Sequence, residues 1–341
     1  MSKYTIKEIA EMAGVSIATV SRVINGSENV SEELRQKVNK IIEETGFTPN
    51  SLARSLKVKK TNIVGVIVVN LNVPFFAEIV HHLEKALRSQ GYIMMIACHY
   101  DQPDIEQQCL EAMIEMQVDT IVLTSTGSNE DYIYKIFQSG IPVLMLDRHP
   151  KKHPIPSIIS DKQNGFYQLM NHLFGLGHRK FALVTGDSKI TSNHNRFLGI
   201  MNFLYDHDQP VNSLTCYYGE FSEEYGYEIT KKIFSLPPEE RPTAMLAGSS
   251  LIAVGALMYC KEHGIKIPEQ LSITSLGDLS YPGLVNPTLT HMDDLRHEMA
   301  QMAAAAISEK LTCSGESVVS ITLPARINIG QSTGIPPKVS C

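Results

Sequence analysis

From Thr61 onward the chain alternates, twice over, between apolar runs of strand length and longer stretches of helical period, and no other feature restricts its fold as much. Ile63-Val64-Gly65-Val66-Ile67-Val68-Val69 is a near-continuous apolar run, the mark of a strand buried on both faces of a parallel sheet. Strands are expected next at 92–98, 120–123 and 142–147, with helices at about 75–90, 105–116 and 132–138 between them. The alternation then resumes with strands at 181–185, 214–217, 244–247 and 272–276 and helices at about 163–176, 195–207, 223–235 and 250–263. Two successive β-α sets predict two doubly wound parallel sheets, with any ligand at the carboxyl ends of their strands. At 341 residues the chain is too long for one ordinary core, and this division absorbs the surplus.

Before Thr61 the period is helical only. Thr5 with Glu8 three residues later forms a capping box, and Ile6, Ile9, Ala10 and Ala13 then make one apolar face. Gly14-Val15 supplies a tight turn, and Ser16 caps a second short helix running to about Asn25. Val20, Val23 and Ile24 point that helix at a core and leave Ile17, Ala18, Ser21, Arg22 and Asn25 on the opposite face. Gly26-Ser27 breaks the chain. Ser31 caps a third helix with Glu32 and Glu33 in its first turn, a stripe of Leu34, Val38, Ile41 and Ile42, and Gly46 at its end. Two short helices joined by a tight turn and closed by a third describe a helix-turn-helix module.

The outward face of the second helix has the chemistry that reading DNA bases needs. Arg22 can donate two hydrogen bonds to a guanine edge or one to a phosphate, and Ile17 and Ala18 are small enough to approach thymine methyls. Ser16, Thr19 and Ser21 suit phosphate oxygens. An ordinary solvated helix face competes with that reading. The segment after the third helix favours DNA: in the basic stretch Ser51-Leu52-Ala53-Arg54-Ser55-Leu56-Lys57, Leu52 and Leu56 lie one turn apart, suited to wedging between base pairs in a minor groove. Charge agrees. Residues 1–60 carry ten Lys and Arg against seven Glu, whereas the other 281 carry twenty basic and twenty-nine acidic groups, so a basic head sits on an acidic body.

The string Thr5-Ile6, Ile9-Ala10, Ala13-Gly14-Val15-Ser16, Ala18-Thr19-Val20-Ser21-Arg22-Val23-Ile24-Asn25-Gly26, Val30-Ser31, then Pro49-Asn50 and Ala53-Arg54-Ser55-Leu56 resembles the DNA-binding head and hinge of the lactose/galactose-repressor (LacI/GalR) family. The resemblance implies DNA contacts from Thr5, Ser16, Ile17, Ala18, Thr19, Ser21, Arg22, Asn25, Ser31, Asn50, Arg54, Leu56 and Lys57. Leu56 would be the lever in a central base step, and Ile17-Ala18 the pair that tunes operator choice. The body is similar to the family's periplasmic-binding-protein-like effector domain through Pro74-Phe75-Phe76-Ala77-Glu78, Gly140-Ile141-Pro142-Val143, Asp147-Arg148, Leu176-Gly177-His178-Arg179, Phe221-Ser222 and Pro242-Thr243-Ala244, among other strings.

The expected fold is therefore an N-terminal all-α helix-turn-helix head plus an α/β periplasmic-binding-protein-like body of two doubly wound parallel-sheet lobes. The expected boundaries are 1–48 for the head, 49–60 for a hinge helix and linker, and 61–341 for the effector-binding and dimerisation domain. Within that domain, lobe 1 would hold about 61–160 plus 294–322 and lobe 2 about 161–293 plus 323–341.

The resemblance places effector contacts at Phe75, Phe76, Asp147, Arg148, Asp161, Ser192, Arg196, Phe221, Ser249, Asp278 and Asp294. Three departures stand out. Ser249-Ser250 replaces the family's Asn-Asp, Gly277 stands where a leading carboxylate normally accepts ligand hydroxyls, and Asp294-Leu295 stands where a polar residue, often Gln, precedes Pro. Loss of the carboxylate at 277, with Arg148 and Arg196 kept, favours a sugar acid or sugar phosphate as effector. Asp278 taking over by a one-residue shift is the competing reading.

The implied function is a bacterial-type transcription regulator, a repressor of carbohydrate uptake or catabolism genes, binding double-stranded operator DNA of pseudo-palindromic sequence as a homodimer. A small sugar-like effector in the cleft between the lobes would control it. A protein corepressor in place of that effector stays open, as does a sugar-binding module with no DNA role. An enzyme is not expected, because phosphate-loop, nucleophile-elbow and dinucleotide fingerprints are all missing. No cofactor is expected.

No metal is expected either, since His149-Pro150 cannot continue a helix that would bring His149 and His153 to one side with Asp147. Cys98, Cys109, Cys216, Cys260, Cys313 and Cys341 form no CxxC pair, which fits reduced thiols. No apolar stretch reaches eighteen residues, and the first residues lack an apolar signal core, so a cytoplasmic protein without a membrane partner is expected.

Overall fold

The computed structural model describes residues 4–24, 27, 29–47, 61–278, 286–309 and 320–337. The chain divides into two compact units, Met1–Thr61 and Asn62–Cys341.

The first unit is built on α1 (Ile6–Ala13), α2 (Ile17–Ile24) and α3 (Glu32–Thr45). Thr5 Oγ1 accepts from the Glu8 amide at 3.3 Å while the Thr5 amide donates to Glu8 Oε2 at 2.7 Å, so the capping box is closed on both sides. Gly14 ends α1 at φ 64°, the left-handed conformation that glycine adopts without strain, and the Val15 amide returns to Ala10 O at 3.0 Å. Ile9, Ala10 and Ala13 then meet Val20, Val23, Val38 and Phe47 in one buried cluster. Fully burying side chains of the size of Ile9, Val20 and Val38 stabilises by about 1.5–3 kcal/mol each.

The second unit holds two six-stranded sheets. Sheet 1 contains β1 (Ile63–Val68), β2 (Ile93–Cys98), β3 (Thr120–Leu123), β4 (Val143–Leu146), β5 (Ser157–Ser160) and β11 (Ser320–Leu323), in the order β11-β5-β4-β3-β1-β2. Sheet 2 contains β6 (Phe181–Thr185), β7 (Leu214–Tyr218), β8 (Ala244–Ala247), β9 (Ser272–Leu276), β10 (Thr290–Met292) and β12 (Ile327–Asn328), in the order β12-β10-β9-β8-β6-β7. The two orders are the same pattern repeated. Every pairing is parallel except that of β10 with β12, so sheet 2 departs from the all-parallel expectation at one edge. The four strands not expected, β5, β10, β11 and β12, are short and interrupted by polar residues, whereas the equally short β3, β4 and β8 are almost wholly apolar runs.

The helices are α4 (Pro74–Ser89), α5 (Pro103–Glu115), α6 (Glu130–Gln138), α7 (Lys162–Gly175), α8 (Thr191–Asp206), α9 (Glu223–Ser235), α10 (Ser250–Glu262) and α11 (Arg296–Ser308). Apolar clusters lie on both faces of each sheet, which is why the strands are apolar throughout rather than alternating. Helices α9 and α10 meet backbone to backbone: a Cβ on Gly255 would stand 1.9 Å from Glu223 O, so only glycine permits that approach.

The chain passes between the sheets three times. It leaves sheet 1 after β5 to form α7, which packs on α8 beside sheet 2. It leaves sheet 2 after β10 to form α11, which packs on α4 beside sheet 1. It crosses again between β11 and β12. We call the two halves lobe 1 and lobe 2 after their sheets.

Candidate nucleic-acid face and interlobe cleft

In the head, the expected DNA-facing residues of α2 are on its outer side. Ile17 is 47% exposed and Ala18 is exposed, while Val20 and Val23 of the same helix are buried. Arg22 is exposed too. Ser16 caps α2 by accepting from the Thr19 amide at 3.1 Å, and its hydroxyl lies 2.9 Å from Thr19 Oγ1. Thr5 and Ser31 cap α1 and α3 and are exposed, and Ser21 is half-buried. Asn25, Asn50, Arg54, Leu56 and Lys57 lie outside the described residues.

In the body, the strand order reverses beside β1 in lobe 1 and beside β6 in lobe 2, which sets a cleft at the carboxyl ends of the strands. The segments beyond those ends supply the expected effector residues. Phe75 and Phe76 come after β1 in the first turn of α4, edge to face at 5.1 Å, with Phe76 sunk into the lobe 1 core and Phe75 half-buried. Asp147 and Arg148 come directly after β4. Asp147 adopts φ 66°, and this left-handed turn sends the two neighbouring side chains to different partners. Arg148 Nη1 donates to Asp101 Oδ1 at 2.6 Å and to Ser125 O at 2.8 Å, and Nη2 donates to Asp101 Oδ2 at 3.2 Å. The Asp147 carboxylate instead meets Lys162 at the start of α7, Nζ to Oδ1 2.7 Å. Burial works against ionisation of Asp147, but Lys162, with Arg196 and Arg148 nearby, holds its carboxyl below the usual carboxylate range.

Lobe 2 contributes Arg196 from α8, 5% exposed, with Nη1 bonded to Asn193 Oδ1 and 3.4 Å from Thr185 Oγ1. Its guanidinium stands 5.3 Å from the ring centroid of the half-buried Phe221. Its Nε finds no acceptor among the described residues, and burial lowers its pKa to about 10. Ser192 lies buried beside it in the first turn of α8.

Several expected residues have structural duties. Asp161 caps α7, its Oδ1 accepting from the Asn164 amide at 3.0 Å, and Ser249 caps α10 by accepting from the Ile252 amide at 3.4 Å. Asp278, read as the alternative to a carboxylate at 277, places its Oδ1 2.9 Å from Arg296 Nη2. The spot beside Gly277 is not empty of charge. Asp294 fills it, with Oδ2 2.6 Å from where a Cβ on Gly277 would stand. Burial raises the Asp294 pKa to about 6, against the opposing pull of Arg296. His153 is held by Asp131 at 2.6 Å and stacks on Tyr134 at 4.3 Å, so it and Asp147 have separate partners.

The cleft mouth is lined by Ser125, Thr126, Arg148, His149 and Lys151 from lobe 1 and by Lys189, Ile190 and Thr191 from lobe 2. Two contacts cross it, Lys151 Nζ to Lys189 O at 2.6 Å and Thr191 Oγ1 to His149 O at 3.4 Å. Periodicity could not have found Lys162, Asp101, Glu78 or Arg296. Their signal is a charged residue next to a strand end or crossover, which becomes specific only when its partner is known.

Comparison with known proteins gives a consistent result. The profile described as periplasmic binding proteins and sugar binding domain of LacI family matches residues 61–327, and that of bacterial regulatory proteins, lacI family, matches residues 5–50. Catabolite control protein A of Priestia megaterium is 29% identical, covering 96% of this chain and 99% of its own. The ribose operon repressor of Haemophilus influenzae is 31% identical, covering 94% of this chain and 95% of its own. Among solved structures, a lac repressor dimer bound to operator and the anti-inducer ONPF is similar at a TM-score of 0.82 and 24% identity, covering 97% of this chain and 99% of its own.

Proposed function

The chain belongs to the LacI family of bacterial regulatory proteins, and from that membership we propose that it is a cytoplasmic repressor whose dimer binds a pseudo-palindromic operator under the control of a small anionic effector. The observation that carries the DNA half of this reading is the two-sidedness of α2. Its Val20 and Val23 are spent on the core, and Ile17, Ala18 and Arg22 face outward where a major groove can receive them. Residues 1–48 would read the operator, 49–60 would be the hinge, and Leu56 would act as the minor-groove wedge. A homodimer is supported by the apolar strand β2 at the edge of sheet 1, where Ile93 is 69% and Ile96 41% exposed.

Effector chemistry rests on the charge pairing inside the cleft. Arg148 is paired with Asp101, Asp147 with Lys162 and Asp294 with Arg296, although Arg148 Nε, like Arg196 Nε, finds no acceptor among the described residues. What sets Arg196 apart is that no carboxylate is bonded to it among the described residues, its partners being Asn193 and Thr185. A sugar acid or sugar phosphate would supply the missing acceptor while its ring stacks on Phe221. Regulation of carbohydrate uptake or catabolism genes is the role such an effector would serve.

Selection of bound duplexes from a random pool, repeated with sugars, sugar acids and sugar phosphates, tests the reading. A symmetric enriched site whose recovery shifts with one anionic sugar supports it. An enriched site indifferent to every compound replaces the small effector with a protein corepressor. No enriched site in any condition removes the DNA role.

A further inference from the structure

Arg296 opens α11 in lobe 1 and gathers carboxylates from three separate segments. Its Nε donates to Asp294 Oδ1 at 2.7 Å, its Nη1 lies 2.8 Å from Glu78 Oε1, and its Nη2 lies 2.9 Å from Asp278 Oδ1. Glu78 rides on α4 in lobe 1, Asp278 comes after β9 in lobe 2, and Asp294 belongs to the crossover between them. One guanidinium thus joins both lobes and the strand that connects them.

The backbone is shaped around this cluster. Gly277 takes φ 76°, and a Cβ there would meet Asp294 Oδ2 at 2.6 Å and Arg296 Nη2 at 3.7 Å, so any side chain at 277 would push the cluster apart. Leu295 takes φ 54°, a sparsely populated conformation for a residue with a Cβ, and this reversal folds Arg296 back onto Asp294 two residues earlier. The glycine at 277, the acid at 294 and the non-proline at 295 all depart from one family pattern; here the first two lie against each other and the turn at the third brings Arg296 to them.

We infer that Arg296 is a positioning residue that holds lobe 2 against lobe 1 through Asp278 and so sets the cleft angle of the effector-free chain. Among the described residues three ion pairs join the lobes, Lys162 with Asp147, Arg296 with Asp278, and Arg326 beside β12 with Glu298 of α11 at 2.7 Å, and burial distinguishes the roles of the first two. Lys162 and Asp147 have side chains 3% and 6% exposed, so parting them would strand both charges in a dry interior. Asp278 is 48% exposed and regains water as soon as the lobes separate, while Arg296 keeps Glu78 and Asp294 as partners. The first pair therefore behaves as a fixed pivot and the second as a releasable latch. The latch does not depend on the regulator reading; its consequence for operator binding does.

Hydrogen exchange of the full chain, with Asp278→Asn and Asp278→Glu beside the parent, tests the latch. The segments to track are 149–153 and 187–195, which face each other across the cleft mouth and contain none of the four clustered residues. Asp278→Asn should speed exchange there by about fivefold or more, leave β3 and β8 as slow as in the parent, and be reversed by Asp278→Glu. Mouth exchange within about twofold of the parent in Asp278→Asn overturns the inference. So does equal acceleration in β3 and β8, which would make the pair a general stabiliser, and so does an Asp278→Glu chain that exchanges like Asp278→Asn. On DNA enriched with the parent, Asp278→Asn should change affinity by about fivefold or more in the absence of any effector. A parent that enriches no DNA sinks the regulator reading and leaves the exchange result standing.

Discussion

Asp147 and Lys162 face each other across the first crossing between the lobes, carboxylate to ammonium at 2.7 Å, with Lys162 also donating to Ser160 Oγ at 2.9 Å. The pair stands behind the cleft rather than in open water, with only 6% and 2% of the two residues exposed. Its energetics are lopsided. Replacing Lys162 alone leaves a buried carboxylate without its nearest cation, whereas replacing both ends removes the burden of burying either.

Lys162→Met should therefore lower the stability of the body by about 3–5 kcal/mol, and Asp147→Asn combined with Lys162→Met should recover more than half of that loss. Urea denaturation monitored by circular dichroism reads both. Equal loss in the single and double variants would mean that packing of the lysine stem, not its charge, matters at this crossing.

His178 supplies a pH prediction. The ring is fully buried, with Nδ1 2.8 Å from Thr243 Oγ1 and Nε2 3.0 Å from Ser272 Oγ and 2.9 Å from Gly334 O, so it fastens the segment after β12 to sheet 2. Burial, reinforced by His172 and Arg179 nearby, pushes its pKa down to about 4 against the pull of Gly334 O. The unfolded chain takes up the proton near 6.5, which the folded ring resists. The contribution is complete above about pH 6.5 and is lost as pH falls toward about 4. Between about pH 7 and about pH 5 the parent should lose about 2 kcal/mol that His178→Gln does not lose. Asp294 acts in the opposite sense, since a carboxyl raised to about 6 favours the folded state at low pH and loses that contribution as pH rises through about 6. The difference between parent and variant isolates the histidine. Parallel stability curves for the two chains would remove this assignment.

These buried pairs also mark where reading the sequence reaches its limit. The helices of the head and the long strands were legible because a face such as Ile9, Ala10 and Ala13, or a run such as 63–68, repeats at its own period. Strands β5 and β10 to β12 were not, because Ser, Thr, His or Asn interrupts each of these short segments and leaves neither an apolar run nor a period. The cleft was legible as a location through the strand ends, but its charge balance was not. Gly277 read as a lost carboxylate, yet Asp294, seventeen positions later, puts one beside it, and only tertiary contact reveals the substitution. Arg148 read as an effector ligand, and its pairing with Asp101, forty-seven residues away, had no signal in the sequence.

The head allows a prediction that separates folding from recognition. Arg22 is exposed on α2 and Val20 beside it is fully buried. Arg22→Ala should leave thermal stability within about 0.5 kcal/mol of the parent yet weaken binding to a selected operator by about 1–3 kcal/mol, the cost of a bidentate guanine contact. Fluorescence anisotropy at fixed salt measures it. If the loss is uniform across operator variants and shrinks as salt rises, Arg22 contacts phosphate and its role in base reading is withdrawn.

Arg196 allows the sharpest test of effector class. The guanidinium is buried against Phe221 and Asn193, its Nε lacks an acceptor among the described residues, and burial has already drawn its pKa down to about 10. Such a group gains most from a ligand anion, which restores a charge partner and completes its donors at once. Isothermal titration of the full chain should give binding to one of a set of sugar acids or sugar phosphates at least about tenfold tighter than to the matching neutral sugar, a difference of about 1.4 kcal/mol. Arg196→Lys should lose most of that preference although the charge is kept, because an ammonium cannot reproduce the planar fork. A neutral sugar that binds while its acid and phosphate do not would show that the Arg196 donors serve hydroxyls, and the anionic effector would have to be abandoned.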